Sequence, residues 1–404
     1  MDSSKAEGTD FTEYRLRDVA SIRHGFAFAS QYFTSNEGDY LLTPGNFHEG
    51  GGFRPLGAKQ KRYNGTVAPS FVLAAGDLLI AMTEQAAGLL GSALLVPSDG
   101  NQYLHNQRLG LVKATDPSII EDKFLYYWFG LDETRRRISR DSSGTKVRHT
   151  SPDKVLALPI LVPPLGTQRR IVEILTTWDR AIERNYEDIA AHRVRLRALR
   201  DNAFRERDWP MAPLRDIASR VRSVSDGRTH PVMTISAAAG FVLQSDRYNR
   251  EMAGASLATY TLLSRGDFAY NKGNSLLYPQ GCVFPLDEDS ALVPSIYYSF
   301  RLRDELNPGF YEHFFAAGRM NRQLERIITS GVRGNGLLNI TANDFFSCEL
   351  PVPPKNVQDA ISALLSDAVR EIHLLEQKDR ALREQRRSLL RGLLTGSLIP
   401  YGEE

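Results

Sequence analysis

The sequence states one phrase twice. VPPLGTQRRIVEILTTWD fills residues 162–179 and VPPKNVQDAISALLSDAV fills residues 352–369, 190 residues later. Gln168 and Ile171 recur as Gln358 and Ile361. A repeat at this period constrains the fold more than any local propensity, because both copies must solve the same packing problem. Other echoes keep the same order. LRDVAS (16–21) returns as LRDIAS (214–219), Gly76-Asp77 as Gly266-Asp267, and Asp116-Pro117 as Asn307-Pro308. The offset is 190 or 191 from the Gly-Asp pair onward but 198 at the LRD phrase. The length difference therefore lies between these markers, where loops absorb insertions.

Each copy opens with short strand-like runs punctuated by Gly-Asp and Pro: FVLAAGDLLIAM, GSALLVP and RLGLVKA, then TYTLLSRGDFAYNK, GCVFPL and SIYYSFRL. One helix is predicted next, over 117–139 and 308–328, with Asp116 or Asn307 as N-cap and Pro at the first helical position. Polar loops follow, SSGTKVRHTS (142–151) and SGVRGNGLLNIT (330–341), and then Pro-Pro introduces a long helix. The expected organisation is a head over 1–162, a helix over 163–207, a second head over 208–352, a second helix over 353–397 and a tail over 398–404. The fold class is α+β.

The two long helices carry a seven-residue stripe. In the first it runs through Ile171, Leu175, Trp178, Ile182, Asn185, Ile189, His192, Leu196 and Leu199. In the second it runs through Ile361, Leu365, Ala368, Ile372, Leu375, Asp379, Leu382, Arg386 and Leu389. Spacing of three and four over about five heptads argues for coiled-coil helices, each ~60 Å long at 1.5 Å per residue. The polar interruptions select an orientation. A parallel pairing sets Asn185 against Leu375 and Asp379 against Ile189, and each unpaired polar group would cost about 1–3 kcal/mol. An antiparallel pairing, with partner numbers adding to about 564, sets Asn185 against Asp379 and Ile189 against Leu375. It also brings Trp178 to Arg386 as a cation–π pair. The expectation is an intramolecular antiparallel coiled coil with pseudo-two-fold symmetry. The alternative is that each stripe packs only on its own head.

Bulk properties narrow the function. At 404 residues the chain exceeds one ordinary domain. Net charge is only +2, so nucleic-acid binding must rest on local basic patches. Two cysteines make no disulfide framework, and no apolar run approaches ~18 residues. The N-terminal residues lack the pattern of a secretion signal. These features predict a cytoplasmic protein that does not contact membranes.

The repeated Pro-Pro…Gln…Ile phrase, the terminal LLRGLLTGSLIP and the LRDVASIRHG and LRDIASRVRS openings together resemble the DNA specificity subunit of type I restriction–modification systems. The resemblance covers essentially the whole chain. It departs where that family often has Glu before the Gln, since Thr167 and Val357 stand here. The resemblance implies two target recognition domains, each reading half of a bipartite double-stranded DNA site. It implies that the helices set the gap and dock two methyltransferase subunits, to which a restriction/translocase subunit is added. It also implies no catalysis by this chain alone, with S-adenosylmethionine, Mg²⁺ and ATP bound by the partners. A stand-alone two-headed DNA-binding regulator shares the same layout.

No motif contradicts this. Gly-Lys, HExxH, GxSxG and GxGxxG are all missing, and eight His and two Cys show no ligand spacing. Candidate DNA contacts are basic and amide side chains in polar loops, which neutralise phosphates or read base edges. They are Lys59, Lys61 and Arg62 in KQKRYN, Asn106 and Arg108 in HNQR, and Lys146 and Arg148 in SSGTKVRHTS. The second copy offers Arg228 in SDGRTH, Lys272 and Asn274 in NKGNS, and Arg333 and Asn335 in SGVRGNG.

Overall fold

A computed structural model describes residues 11–84, 88–144, 147–205, 207–247, 254–273, 278–328 and 337–400. The chain divides into two compact units, one of residues 1–185 with 378–404 and one of residues 186–377.

The first unit is built on a four-stranded antiparallel sheet. Its order is Ala20–His24, Leu109–Ala114, Leu78–Ala81 and Ala93–Leu95. The run LLIA is buried on both faces, and the alternation of a strand explains how. Leu78 and Ile80 join a core with Phe124, Phe129 and Ile160, while Leu79 and Ala81 join a second core with Phe47, Leu94 and Tyr103. Over that second face lies a five-stranded sheet, ordered Phe33–Thr34, Arg62–Tyr63, Asp39–Leu42, Tyr103–His105 and Val72–Leu73. Thr12–Arg15 pairs antiparallel with Pro159–Val162 at the other end of the unit.

The second unit repeats the scaffold. Ala218–Arg220, Tyr298–Leu302, Phe268–Asn271 and Cys282–Pro285 form a four-stranded antiparallel sheet, and Met211–Pro213 pairs with Glu349–Pro351. Alternation works again: Phe268 and Tyr270 face the helices, and Ala269 faces a core with Ile235, Leu263 and Val293. Here the second layer is two ribbons, Met233–Ser236 with Gly240–Leu243 and Thr261–Ser264 with Ser290–Val293.

The long helices span Leu165–Ala203 and Lys355–Leu394. In the first unit Ile171 and Leu175 of the first helix share a core with Leu390, Leu393 and Leu394 of the second. In the second unit Leu196 and Ala203 of the first helix share a core with Leu365, Ala368 and Ile372 of the second. The start of each helix thus meets the end of the other, so the pair runs antiparallel. Ion pairs follow the same order: Asp179 with Arg386 at 2.7 Å, Arg193 with Glu376 at 2.7 Å, and Arg195 with Glu371 at 3.5 Å. Ile182, Asn185 and Ile189 are buried along the stripe, and Leu199, Ile361, Leu375, Asp379, Leu382 and Leu389 are half-buried. The stripe therefore does not pack only on its own head: the helices pair, and the end of each also completes the core of the other's head. Arg386 does not take Trp178 as its partner. Its guanidinium bonds Asp179 and lies 5.8 Å from the Tyr127 ring centre, since a carboxylate on the adjacent residue outcompetes an indole.

The predicted single helices are each two. They run Asp122–Phe129 and Asp132–Arg140 in the first unit, and Pro308–Ala316 and Asn321–Ile327 in the second. Gly130 and Gly318 stand at the breaks. Asn307 caps as expected, accepting from Phe310 N at 3.2 Å with Pro308 behind it. Asp116 does not cap: it accepts from Ser118 N and Oγ in a local turn, and the helix starts five residues later behind Glu121.

The repeated phrase now has a physical cause. The buried Gln168 amide donates to the carbonyls of Pro163 (2.8 Å) and Ile119 (2.7 Å) and accepts from Glu121 N (3.1 Å). Gln358 donates to Pro353 O (2.8 Å) and accepts from Asn307 N (2.9 Å). Each glutamine ties the entry of a long helix to the N-cap of a head helix, satisfying backbone groups at both helix ends that would otherwise be buried without partners. This bond pairs Glu121, not Asp116, with Asn307. The Gly-Asp pairs match equally well. Gly76 and Gly266 adopt φ of +84° and +82°, as the third position of a type II turn requires. Asp77 and Asp267 then accept from Ala74 N (2.9 Å) and Ser264 N (2.8 Å).

Candidate nucleic-acid interface

Asn106 and Arg108 share one ledge of the first unit. The first sheet strand ends in His24-Gly25-Phe26, which runs beside the turn His105-Asn106-Gln107-Arg108. Phe26 N donates to His105 O at 2.8 Å and Gln107 N donates to Phe26 O at 2.9 Å. A Cβ on Gly25 would sit 2.2 Å from His105 O, so only glycine allows this approach. Asn106 folds its own turn by accepting from Arg108 N at 2.9 Å, which leaves the Arg108 side chain exposed. Beneath it His105 is fully buried, its Nε2 3.0 Å from Leu109 O, and burial pushes its pKa down to about 4.

An aromatic floor links this ledge to the KQKRYN strand. Phe26 touches Phe28 (5.3 Å between ring centres) and Phe71 (5.1 Å), and Phe28 touches Tyr63 (4.8 Å). Arg23 lies over Phe71 and donates to Ser70 O at 2.8 Å. Lys59 and Lys61 are exposed, with Lys61 Nζ 5.5 Å from the Phe33 ring. Arg62 is stacked on Tyr40 at 4.1 Å and donates to its hydroxyl. Stacked cations over aromatic rings are pre-ordered to meet phosphates without a large entropic cost.

Arg148 sits differently. Its guanidinium donates to the buried Glu84 carboxylate at 3.2 Å and to the Ser139 and Ser142 hydroxyls. It holds the 147–149 segment against Thr83–Glu84. Lys146, beside it, lies outside the described residues.

In the second unit Arg228 is 85% exposed at the tip of a loop whose base is tied by Asp226. Asp226 accepts from Arg228 N (3.0 Å) and bonds the His230 ring at 2.8 Å, and these bonds hold its carboxyl below the usual range. Lys272 lies 5.0 Å from the Tyr298 ring centre and donates to its hydroxyl at 3.3 Å. Asn274, Arg333 and Asn335 lie outside the described residues. Arg23, Phe26 and Gln107 stand beside the first-unit candidates and were not among them; only its neighbours in the fold show that Phe26 faces out.

Among the described residues no group of three or more His, Cys, Asp and Glu could hold a metal ion. Burial raises both cysteine thiols to about 11, so neither is an activated nucleophile. No helix among the described residues is long and apolar enough to cross a membrane.

Comparison with known proteins concerns the family and the fold. Residues 8–190 match the family described as Type I restriction modification DNA specificity domain. A crystal structure of a type I restriction–modification system S subunit from M. genitalium aligns with TM-score 0.57 at 11% identity, covering 99% of each chain. A chain from work on complex assembly and conformational transition of the type I R-M system aligns with TM-score 0.56 at 14% identity. That alignment covers 98% of this chain and 100% of the other. At these identities the structural likenesses speak to the fold.

Proposed function

We propose, from the match of residues 8–190 to the type I restriction modification DNA specificity domain, that this chain is the DNA-recognition subunit of a type I restriction–modification complex. Each unit carries one target recognition domain, assigned to 1–162 and 208–352. Each reads one half of a bipartite site. The helices over 163–207 and 353–397 set the gap and dock two methyltransferase subunits. A restriction/translocase subunit completes the assembly in the cytoplasm. Methyl transfer and ATP-driven steps belong to those partners with their S-adenosylmethionine, Mg²⁺ and ATP, and this chain contributes recognition only.

The carrying observation is one scaffold used twice under two different surfaces. Gln168 and Gln358 share their bonds to the preceding Pro carbonyl and to the N-cap N–H of a head helix, and Asp77 and Asp267 share their turn bond, while the outer layers differ in strand number and side chains. A reader of two unlike half-sites needs that combination. Docking on the helices is supported by exposed apolar side chains on their outer faces, among them Tyr186, Val194, Leu364 and Leu374. The test is reconstitution with a methyltransferase subunit. The expected result is sequence-specific DNA binding by the chain, and methylation only after the partner is added. Methylation by the chain alone would overturn the assignment, and so would methylation by the partner whose target is unchanged by this chain.

A further inference from the structure

The duplication places an exposed apolar side chain at the same point of both units. Counting from LRDVAS and LRDIAS, Phe26 aligns with Val224 at the 198-residue offset. Phe26 is 45% exposed and Val224 is 62% exposed. Their neighbours also correspond. The Phe26 ring packs on Phe71, and the Val224 backbone forms a β-bridge with Thr261, the residue that aligns with Phe71 at the 190-residue offset. Leu262 N donates to Ser223 O at 2.7 Å and fixes the second ledge. An exposed apolar residue is unremarkable when it occurs once, but its recurrence at the same point of both copies calls for a ligand. The ligand is indicated by what flanks each residue: Gln107 and Arg108 in the turn beside Phe26, and Arg222 two residues before Val224, all exposed. Amide and guanidinium groups read base edges in the major groove, where the apolar feature on offer is the thymine 5-methyl group.

We infer that Phe26 and Val224 are specificity-determining residues that pack on thymine methyl groups, one in each half-site. This rests on the DNA-reading function proposed above. The flat ring of Phe26, held on Phe28 and Phe71, covers its methyl more fully than Val224 covers the other. It follows that each half-site contains at least one A·T pair.

The experiment uses the full chain and a duplex bearing its recognition site, with each thymine replaced in turn by deoxyuridine. One replacement in the first half-site should weaken wild-type binding by about fourfold, the value of one buried methyl, and one in the second half-site by less. Phe26→Ala should bind the thymine duplex about tenfold more weakly and lose sensitivity to the first replacement only. Val224→Ala should lose sensitivity to the second replacement only. The retained response to the other half-site shows that each variant is folded. Sensitivity that survives in both variants overturns the inference, as does a half-site without an A·T pair. A wild-type chain that binds no duplex overturns the DNA-reading function itself.

Discussion

The two units differ least where the chain enters the long helices and most where candidate DNA contacts lie. At the helix entry the match extends to individual bonds. Tyr127 meets the Thr176 hydroxyl at 3.1 Å, and His313 meets Ser366 at 3.1 Å, with Thr176 and Ser366 one repeat apart. On the outer face a five-stranded sheet in one unit stands where two ribbons stand in the other. The difference shows which positions a duplicated chain is free to change. A buried amide that satisfies backbone groups at two helix ends cannot vary without leaving them unpaired. A loop that meets only solvent and a ligand can.

The comparison breaks first at the buried acids. Asp267 is fully buried and held by Arg301 at 2.6 and 2.9 Å, whereas Asp77 is held by Lys113 at 2.7 Å and keeps some exposure. Arg301→Ala should destabilise the second unit by about 3 kcal/mol, because it strands a buried charge; Lys113→Ala should cost the first unit only about 1 kcal/mol. Denaturant unfolding with hydrogen exchange resolved by unit checks both, and equal losses would refute the asymmetry. Gln168→Ala and Gln358→Ala should each cost about 2 kcal/mol in their own unit, and the similarity of the two values is the point under test. Acid should weaken both units over the same window. His105 and His313 have pKa values near 4 in the fold against 6.5 for a free histidine, because burial disfavours the charged ring. The unfolded chain therefore takes up these protons first, so stability is complete above pH 6.5 and is lost as pH falls from 6.5 toward 4. Thermal melts between pH 7 and 5 should show that decline, and His105→Gln should flatten it in the first unit. The smallest expected effects are at the surface. Arg108→Ala and Arg228→Ala should each lower the salt slope of DNA binding by about 0.9 while leaving stability unchanged. A binding loss in Arg148→Ala would report folding as well as contact, since that side chain neutralises Glu84.

Much of this was legible in the sequence. The repeat, the strand runs, the Gly-Asp turns and the antiparallel order of the helices were all visible as pattern. What was not visible depended on contacts far apart in the chain. The recurrence of Gln168 was plain, but its reason lies at Ile119 and Glu121, almost fifty residues earlier. Asp116-Pro117 carried the strongest local start signal, yet the tertiary bond from Gln168 to Glu121 N fixes the start of the helix. The seven-residue stripe could not separate a seam from a core, because both bury the same periodicity; Leu390, Leu393 and Leu394 complete the core of the first head. Exposure of Phe26 follows from a glycine approach that no local propensity encodes.

The central claim is that one chain reads two different half-sites with two copies of one scaffold. Sequencing the methylated positions in host DNA, with and without this chain, tests it most directly. The account predicts a modified motif that depends on the chain and has two unlike halves separated by a fixed gap. Exchange of residues 22–114 for those of a relative should change one half and leave the other half and the gap intact. An uninterrupted motif, or a motif that survives loss of the chain, would contradict it.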